Sequence, residues 1–134
     1  GTAIICKDPV LFRGVMMVLG VGIDIVENRR FSDKEEKFLS RIFTEKEMSL
    51  SRRVGKEEYY ASRFASKEAF VKALGTGFTS LSPLDIEIAE DGKGRPYVVI
   101  NEKVSGILDS SSAHLSISHE KEYSVAMVVI DGTL

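Results

Sequence analysis

The sequence predicts an α+β fold, a small antiparallel sheet packed against one long helix. Three observations carry the prediction. Alternating, β-branched segments stand towards both ends of the chain, a block of helical periodicity separates them, and the longest helical run gathers its apolar residues on one arc. Residues 1–16 show no clear period and read as an arm or extension, which leaves residues 17–134 as a single domain.

The first strand covers residues 18–26. Its alternation puts Val21, Ile23 and Ile25 on one face and Gly20, Gly22, Asp24 and Val26 on the other. Two glycines on the Asp24 face leave room for another backbone or a ligand to approach closely. Residues 28–53 turn helical, with Phe31, Phe38, Leu39, Ile42 and Phe43 spaced for one stripe. Within that block Thr44 and Glu47 form a capping box that starts a second short helix.

Residues 57–74 form the longest helix, stopped at Gly75 or Gly77. Tyr60, Phe64, Phe70, Val71 and Leu74 cluster on one side of it, and Glu68 falls inside that apolar arc. Residues 84–89 and 97–100 read as a hairpin around the turn Asp91-Gly92-Lys93-Gly94. A short helix over residues 102–109 leads to two further alternating strands, residues 114–119 and 123–130, joined by a tight connection.

Composition bounds the function. The chain is 43% hydrophobic and 28% charged, which excludes a disordered chain, and no apolar run approaches the ~18 residues of a spanning helix. Lys7, Asp8, Pro9 and Arg13 interrupt the N-terminal stretch, so no signal-peptide core forms and a cytoplasmic location is expected. Cys6 is the single cysteine and there are two histidines, so any metal must be held by carboxylates. A net charge of -2 argues against nucleic acid as a partner. The charge is uneven, however: residues 29–56 hold nine Lys/Arg against five Asp/Glu, which suits either a solvated helical face or a docking surface for an anionic ligand or acidic partner.

Two carboxylates are not explained by their surroundings. Asp24 interrupts a glycine-rich apolar strand and Glu68 lies on the inward arc of the main helix. A buried carboxylate needs a cation, a donor or a proton. One reading is two separate structural pairs, Glu68 with Lys72 at i,i+4 and Asp24 capping nearby backbone. The other joins them on one Mg²⁺, which takes one or two protein carboxylates and completes its shell with water and substrate phosphate, with Lys72 beside the same phosphates. Gly75-Thr76-Gly77 follows a helix rather than opening one, so it reads as a helix stop before a phosphate cradle.

Three stretches together match a known pattern: Gly22-Ile23-Asp24-Ile25-Val26-Glu27, then residues 63–77 (RFASKEAFVKALGTG), then His114-Leu115-Ser116-Ile117-Ser118-His119. They resemble the holo-(acyl carrier protein) synthases, the short bacterial 4'-phosphopantetheinyl transferases, over roughly Met17 to Asp131. Residues 1–16 have no counterpart in that pattern, and Glu120 stands after His119 where a small hydroxyl residue is common.

The resemblance implies transfer of 4'-phosphopantetheine from coenzyme A to a serine of apo acyl carrier protein, with release of adenosine 3',5'-bisphosphate. It implies Asp24 and Glu68 as ligands of a required Mg²⁺, and Lys72 on the coenzyme A phosphates. By the same matching, Arg63, Gly75 and His119 belong to the coenzyme A site, and Arg29 and Arg30 meet the acidic carrier. A trimer with active sites at subunit interfaces is implied too, and a domain this small favours a site completed by a neighbour. The same carboxylates could serve a Mg²⁺-dependent nucleotide or pyrophosphate hydrolase. The basic segment alone could serve a non-catalytic module that binds an acidic helical protein.

Overall fold

A computed structural model describes residues 15–51 and 55–133. In chain order the elements are β1 (Met16–Glu27), α1 (Glu36–Leu39), α2 (Glu45–Leu50), α3 (Lys56–Leu74), β2 (Ile88–Glu90), β3 (Pro96–Val98), α4 (Glu102–Leu108), β4 (Ser112–His119) and β5 (Tyr123–Thr133), with 3₁₀ turns at Asn28–Phe31, Gly77–Thr79 and Pro83–Asp85. The α+β expectation holds. β1, β5 and β4 form one antiparallel sheet in that order, and β2 pairs with β3 in a separate hairpin. Residues 1–14 of the expected arm lie outside the described residues, whereas Met16 already pairs with Thr133.

The glycines of β1 explain how the sheet meets the helix. A Cβ on Gly20 would stand 2.0 Å from the Ala73 carbonyl oxygen, and one on Gly22 would stand 2.0 Å from that of Ala69. No real side chain fits there, so α3 rests on β1 at backbone contact. The backbone that the sequence allowed to approach this face is the protein's own helix. β5 supplies Ala126, Val128 and Ile130 to the same buried layer.

The strand face that faces the core is therefore the one with glycines, not the one with large residues. Val21, Ile23 and Ile25 are 56%, 59% and 62% exposed, and Met127 of the adjacent strand is exposed beside them.

One helical stripe over residues 28–53 does not form. Asp33 takes a left-handed backbone (φ 51°), and the residues before α1 and α2, Glu35 and Thr44, are extended, so the segment breaks into a 3₁₀ turn and two short helices. Phe31, Leu39 and Phe43 still reach the core, while Phe38 faces out. Phe31, Phe43, Tyr60 and Phe64 meet with ring centroids 4.7–6.3 Å apart, closing the end of α3 that the sheet leaves open. Edge and tilted geometry of this kind adds to the apolar burial.

The Thr44–Glu47 capping box forms with both of its reciprocal bonds. The sequence did not show that Glu47 is also fully buried and meets Lys67 of α3 at 2.7 Å. Lys67 Nζ donates further to the carbonyls of Ile42 and Pro83, and Glu47 Oε2 accepts from Ile88 N–H. One ion pair thus ties α2, α3 and the start of β2 together. Burial pulls the Lys67 pKa down, with Glu47 opposing it. Gly75 ends α3 in the left-handed conformation (φ 77°), its N–H returning to the Val71 and Lys72 carbonyls. No helix among the described residues is long and apolar enough to cross a membrane.

Candidate active site

The backbone contact between α3 and β1 also assembles the chemistry. Ala69 and Ala73, which touch Gly22 and Gly20, each follow one of the polar residues that the sequence singles out, Glu68 and Lys72. Both side chains are brought to Asp24 on β1. Lys72 Nζ donates to Asp24 Oδ1 at 2.9 Å and to the Ile23 carbonyl at 3.0 Å. Lys72 therefore pairs across to the strand rather than along its own helix to Glu68. Two isolated structural pairs is not the arrangement that forms.

Glu68 is half-buried and makes no hydrogen bond or close ion pair among the described residues. Its carboxyl pKa is raised, first by desolvation and then by the negative charge of Asp24, with Lys72 and Arg30 pulling the other way. Two carboxylates against one close ammonium leave local negative charge uncompensated, which is what a divalent cation would relieve. Among the described residues no cluster of three or more His, Cys, Asp or Glu exists. A cation here would therefore take its remaining ligands from water or from a bound phosphate. Beside the pair, Ile23, Asp24, Ile25, Val125 and Lys72 line an open groove of about 320 Å³.

Arg30 stands closer to this cluster than its place in a basic segment suggests. Its guanidinium lies over the Phe64 ring, 5.4 Å from the centroid, one helical turn before Glu68. Arg29 points away from it into solvent and pairs with Glu27.

The remaining expected residues lie elsewhere on the same helix or beyond it. Arg63 is buried over Tyr59, 4.4 Å from the ring centroid, and is paired with Glu90 of β2, so the structure does not bring it to Asp24 and Glu68. Burial pushes the Tyr59 hydroxyl up to about 12, against the pull of Arg63. Gly75 is the C-cap one turn beyond Val71 and Lys72. His119 ends β4, and its Nδ1 lies 3.4 Å from Glu58 Oε1 near the start of α3. Glu58 lies ten residues before Glu68 on α3, on the order of 15 Å at 1.5 Å rise per residue. A wider groove of about 580 Å³ opens beside Glu58, lined also by Asn28, Lys34, Lys56 and Lys121.

Sequence reasoning missed Glu58, Asn28 and the Lys67–Glu47 pair. Nothing local distinguishes Glu58 from its neighbour Glu57. Lys67 did carry a signal, because at 100° per residue it falls between Leu74 and Tyr60, in the middle of the apolar arc of α3.

Residues 20–128 match the model of the 4'-phosphopantetheinyl transferase superfamily. A holo-[acyl-carrier-protein] synthase of Oceanobacillus iheyensis is 47% identical over 121 residues, covering 86% of this chain and 98% of the relative. A crystal structure of a holo-(acyl-carrier-protein) synthase from Bacillus anthracis in complex with CoA (3',5'-ADP) superposes with a TM-score of 0.75 at 40% identity, covering 87% of this chain and 99% of the other. The Helicobacter pylori holo-[acyl-carrier-protein] synthase in complex with coenzyme A gives 0.74 at 34% identity, over 82% of this chain and 98% of the other.

Proposed function

Because the chain belongs to the holo-[acyl-carrier-protein] synthases of the 4'-phosphopantetheinyl transferase superfamily, we propose that its Asp24–Glu68–Lys72 cluster moves 4'-phosphopantetheine from coenzyme A to a serine of an apo carrier protein. The observation that carries this reading is the meeting of two carboxylates and one lysine at the contact of β1 with α3, with Glu68 left without a hydrogen-bond partner among the described residues.

The donor set fits magnesium, with Asp24 and Glu68 as its protein ligands. What the ion supplies when bound is charge neutralisation on the pyrophosphate and polarisation of the attacked phosphorus. The protein's own residues position and balance charge. The carrier's serine Oγ forms a bond to the phosphorus that bears pantetheine. The bond from that phosphorus to the bridging oxygen breaks, and the oxygen departs with its electron pair as part of adenosine 3',5'-bisphosphate. Lys72, already held by Asp24 and the Ile23 carbonyl, offsets charge on the phosphates. The serine proton needs an acceptor. Glu68 or a water beside it is the group this cluster offers. His119 serves the coenzyme at the other end of α3.

Arg29 and Arg30 stand on the 3₁₀ turn that follows Asp24, so an acidic carrier docked on them presents its serine beside the cluster. Arg30 reaches furthest in, since its charge already acts on Glu68. A trimer suits the same geometry. The outward apolar face of Val21, Ile23, Ile25 and Met127 is larger than isolated exposed residues would explain, and it borders the Asp24–Lys72 groove. A neighbouring copy on that face would cover the strand and wall the groove.

The test is intact-mass analysis of an apo carrier incubated with coenzyme A, Mg²⁺ and this protein. Appearance of the phosphopantetheine mass is expected, with loss of the signal on chelation of Mg²⁺. Release of adenosine 3',5'-bisphosphate with no carrier present would instead indicate a hydrolase. Light scattering on the same sample should give three copies; a monomer with full transfer activity would remove the shared-site reading.

A further inference from the structure

Asn28, the first residue after β1 and four residues past Asp24, is almost fully buried, and every polar group of its side chain is used. Its Nδ2 donates to the carbonyls of Glu120 (2.9 Å) and Lys121 (3.1 Å), its Oδ1 accepts from Ser124 Oγ (2.7 Å), and its backbone N–H donates to the Glu122 carbonyl (2.8 Å). All four bonds fall on the connection between β4 and β5 or on Ser124, the residue paired with His119 across the sheet. Residues 120–122 are themselves exposed and make a tight link. Left to itself, such a link is where local opening concentrates. Glu120 adds a brace from within, its Oε1 accepting from the N–H groups of Glu122 and Tyr123, each at 3.1 Å. The glutamate that departs from the family pattern after His119 is thus spent on the turn's own backbone.

We infer that Asn28 is a positioning residue for His119: its amide holds the β4–β5 turn and thereby fixes the imidazole at the coenzyme end of the site. The inference rests on the coenzyme A reading above. A purely structural role predicts something different. The two carbonyls released by loss of the amide belong to exposed residues and can turn to water, so the loss to the fold is mainly the acceptor of the buried Ser124 hydroxyl, which Ser124→Ala removes without freeing the turn that carries His119.

Three variants separate the effects. Asn28→Ala removes both donations to the turn and the acceptor of Ser124. Asn28→Asp keeps an acceptor for Ser124 but sets carboxylate oxygen against the turn carbonyls. Ser124→Ala loses the Ser124 bond alone and leaves the turn held. Asn28→Ala and Asn28→Asp should weaken binding of adenosine 3',5'-bisphosphate and raise KM for coenzyme A about tenfold, the scale on which lost positioning partners act. kcat and KM for the carrier should stay within about twofold, and Ser124→Ala should stay near wild type. In a His119→Ala background the Asn28→Ala effect should vanish, because both act through one group. Hydrogen exchange at the Glu122 and Tyr123 amides should quicken in Asn28→Ala with no ligand present. Unchanged exchange, wild-type coenzyme affinity in folded Asn28→Ala, or a full tenfold loss persisting without His119 would each overturn the assignment. If exchange quickens but the wild-type protein does not bind adenosine 3',5'-bisphosphate at all, the coenzyme reading fails, and the positioning role falls with it.

Discussion

Lys67 and Glu68 are neighbours on α3, and they stand in opposite physical situations. Lys67 and its partner Glu47 are fully buried, and between them they use three carbonyl or carboxylate acceptors and three donors. One residue on, Glu68 is half-open and has no close partner among the described residues, beside a Lys72–Asp24 pair whose lysine is half exposed. A charge pair satisfied on every side can only hold elements together, because any ligand would have to displace a bond already made. An unsatisfied pair open to solvent is where a ligand gains most. The two sides of this helix thus divide the work between folding and chemistry, although both are built from lysine and carboxylate.

The largest effect expected from breaking the open side is on activity. Asp24→Ala or Glu68→Ala should lower kcat/KM for transfer by about 10³-fold, comparable to removing a group that stabilises developing charge. The melting temperature should not fall. Glu68 gives the sign of the accompanying stability change. Its folded pKa is raised above the unfolded value, so the folded state holds the proton more tightly, and stability falls as pH rises from the unfolded pKa through the folded one. Above that window the ionised group is a standing cost. In metal-free buffer Glu68→Gln should therefore be as stable as wild type at low pH and more stable at neutral pH, read by denaturant titration across pH. A Glu68→Gln protein less stable than wild type at pH 7 would show that the carboxylate is held by a partner after all.

On the closed side the expected effect is on stability. Lys67→Met leaves Glu47 buried and unpaired, a loss of about 3–5 kcal/mol. Pairing it with Glu47→Leu removes the stranded charge but leaves the Thr44 and Ile88 N–H groups without their acceptor, each worth about 1–3 kcal/mol when buried. The double variant should therefore recover only part of the loss. Below its melting temperature, Lys67→Met should keep the wild-type kcat and Mg²⁺ dependence, measured by carrier mass shift. A folded Lys67→Met with transfer reduced a hundredfold would break the division between the two sides.

Much of this was legible in the sequence. Strand alternation, the Thr44 capping box and the run of apolar residues in residues 57–74 depend on neighbours a few positions apart, and those elements stand where the pattern put them, except that of the strand expected over residues 84–89 only the end forms, Pro83–Asp85 being a 3₁₀ turn and β2 starting at Ile88. Asp24 and Glu68 were legible because each breaks a local pattern, and the structure brings them together. What pattern could not give were the pairings set by tertiary contact. Lys72 chooses Asp24 over Glu68 because α3 sits at backbone distance from β1, a fact encoded in Gly20 and Gly22 but readable only once their neighbour is known. The helical stripe over residues 28–53 misled for a related reason. Its apolar spacing is real, but the left-handed Asp33 and the capping Thr44 interrupt the backbone, and Phe31, Leu39 and Phe43 reach the core from three separate pieces.

The smallest of these effects gives the sharpest test of how far the closed side is insulated from the open one. Thr44 caps α2 through its Oγ1, which accepts from Glu47 N–H at 3.2 Å and donates to Glu87 at 2.6 Å. Thr44→Ala removes both contacts, yet the Thr44 backbone N–H can still reach Glu47, and the bond from Lys67 to Glu47 is untouched. A lost cap of this kind costs about 1 kcal/mol, and Thr44→Ser should restore most of it. Since Glu47 is held by Lys67 and Ile88 independently, the loosened first turn of α2 should not propagate through α3 to Glu68. Urea denaturation should therefore register the change while the transfer rate, measured well below the transition, stays at the wild-type value. A loss of transfer out of proportion to the loss of stability would mean that the knot around Glu47 sets the position of Glu68 as well as the stability of the fold.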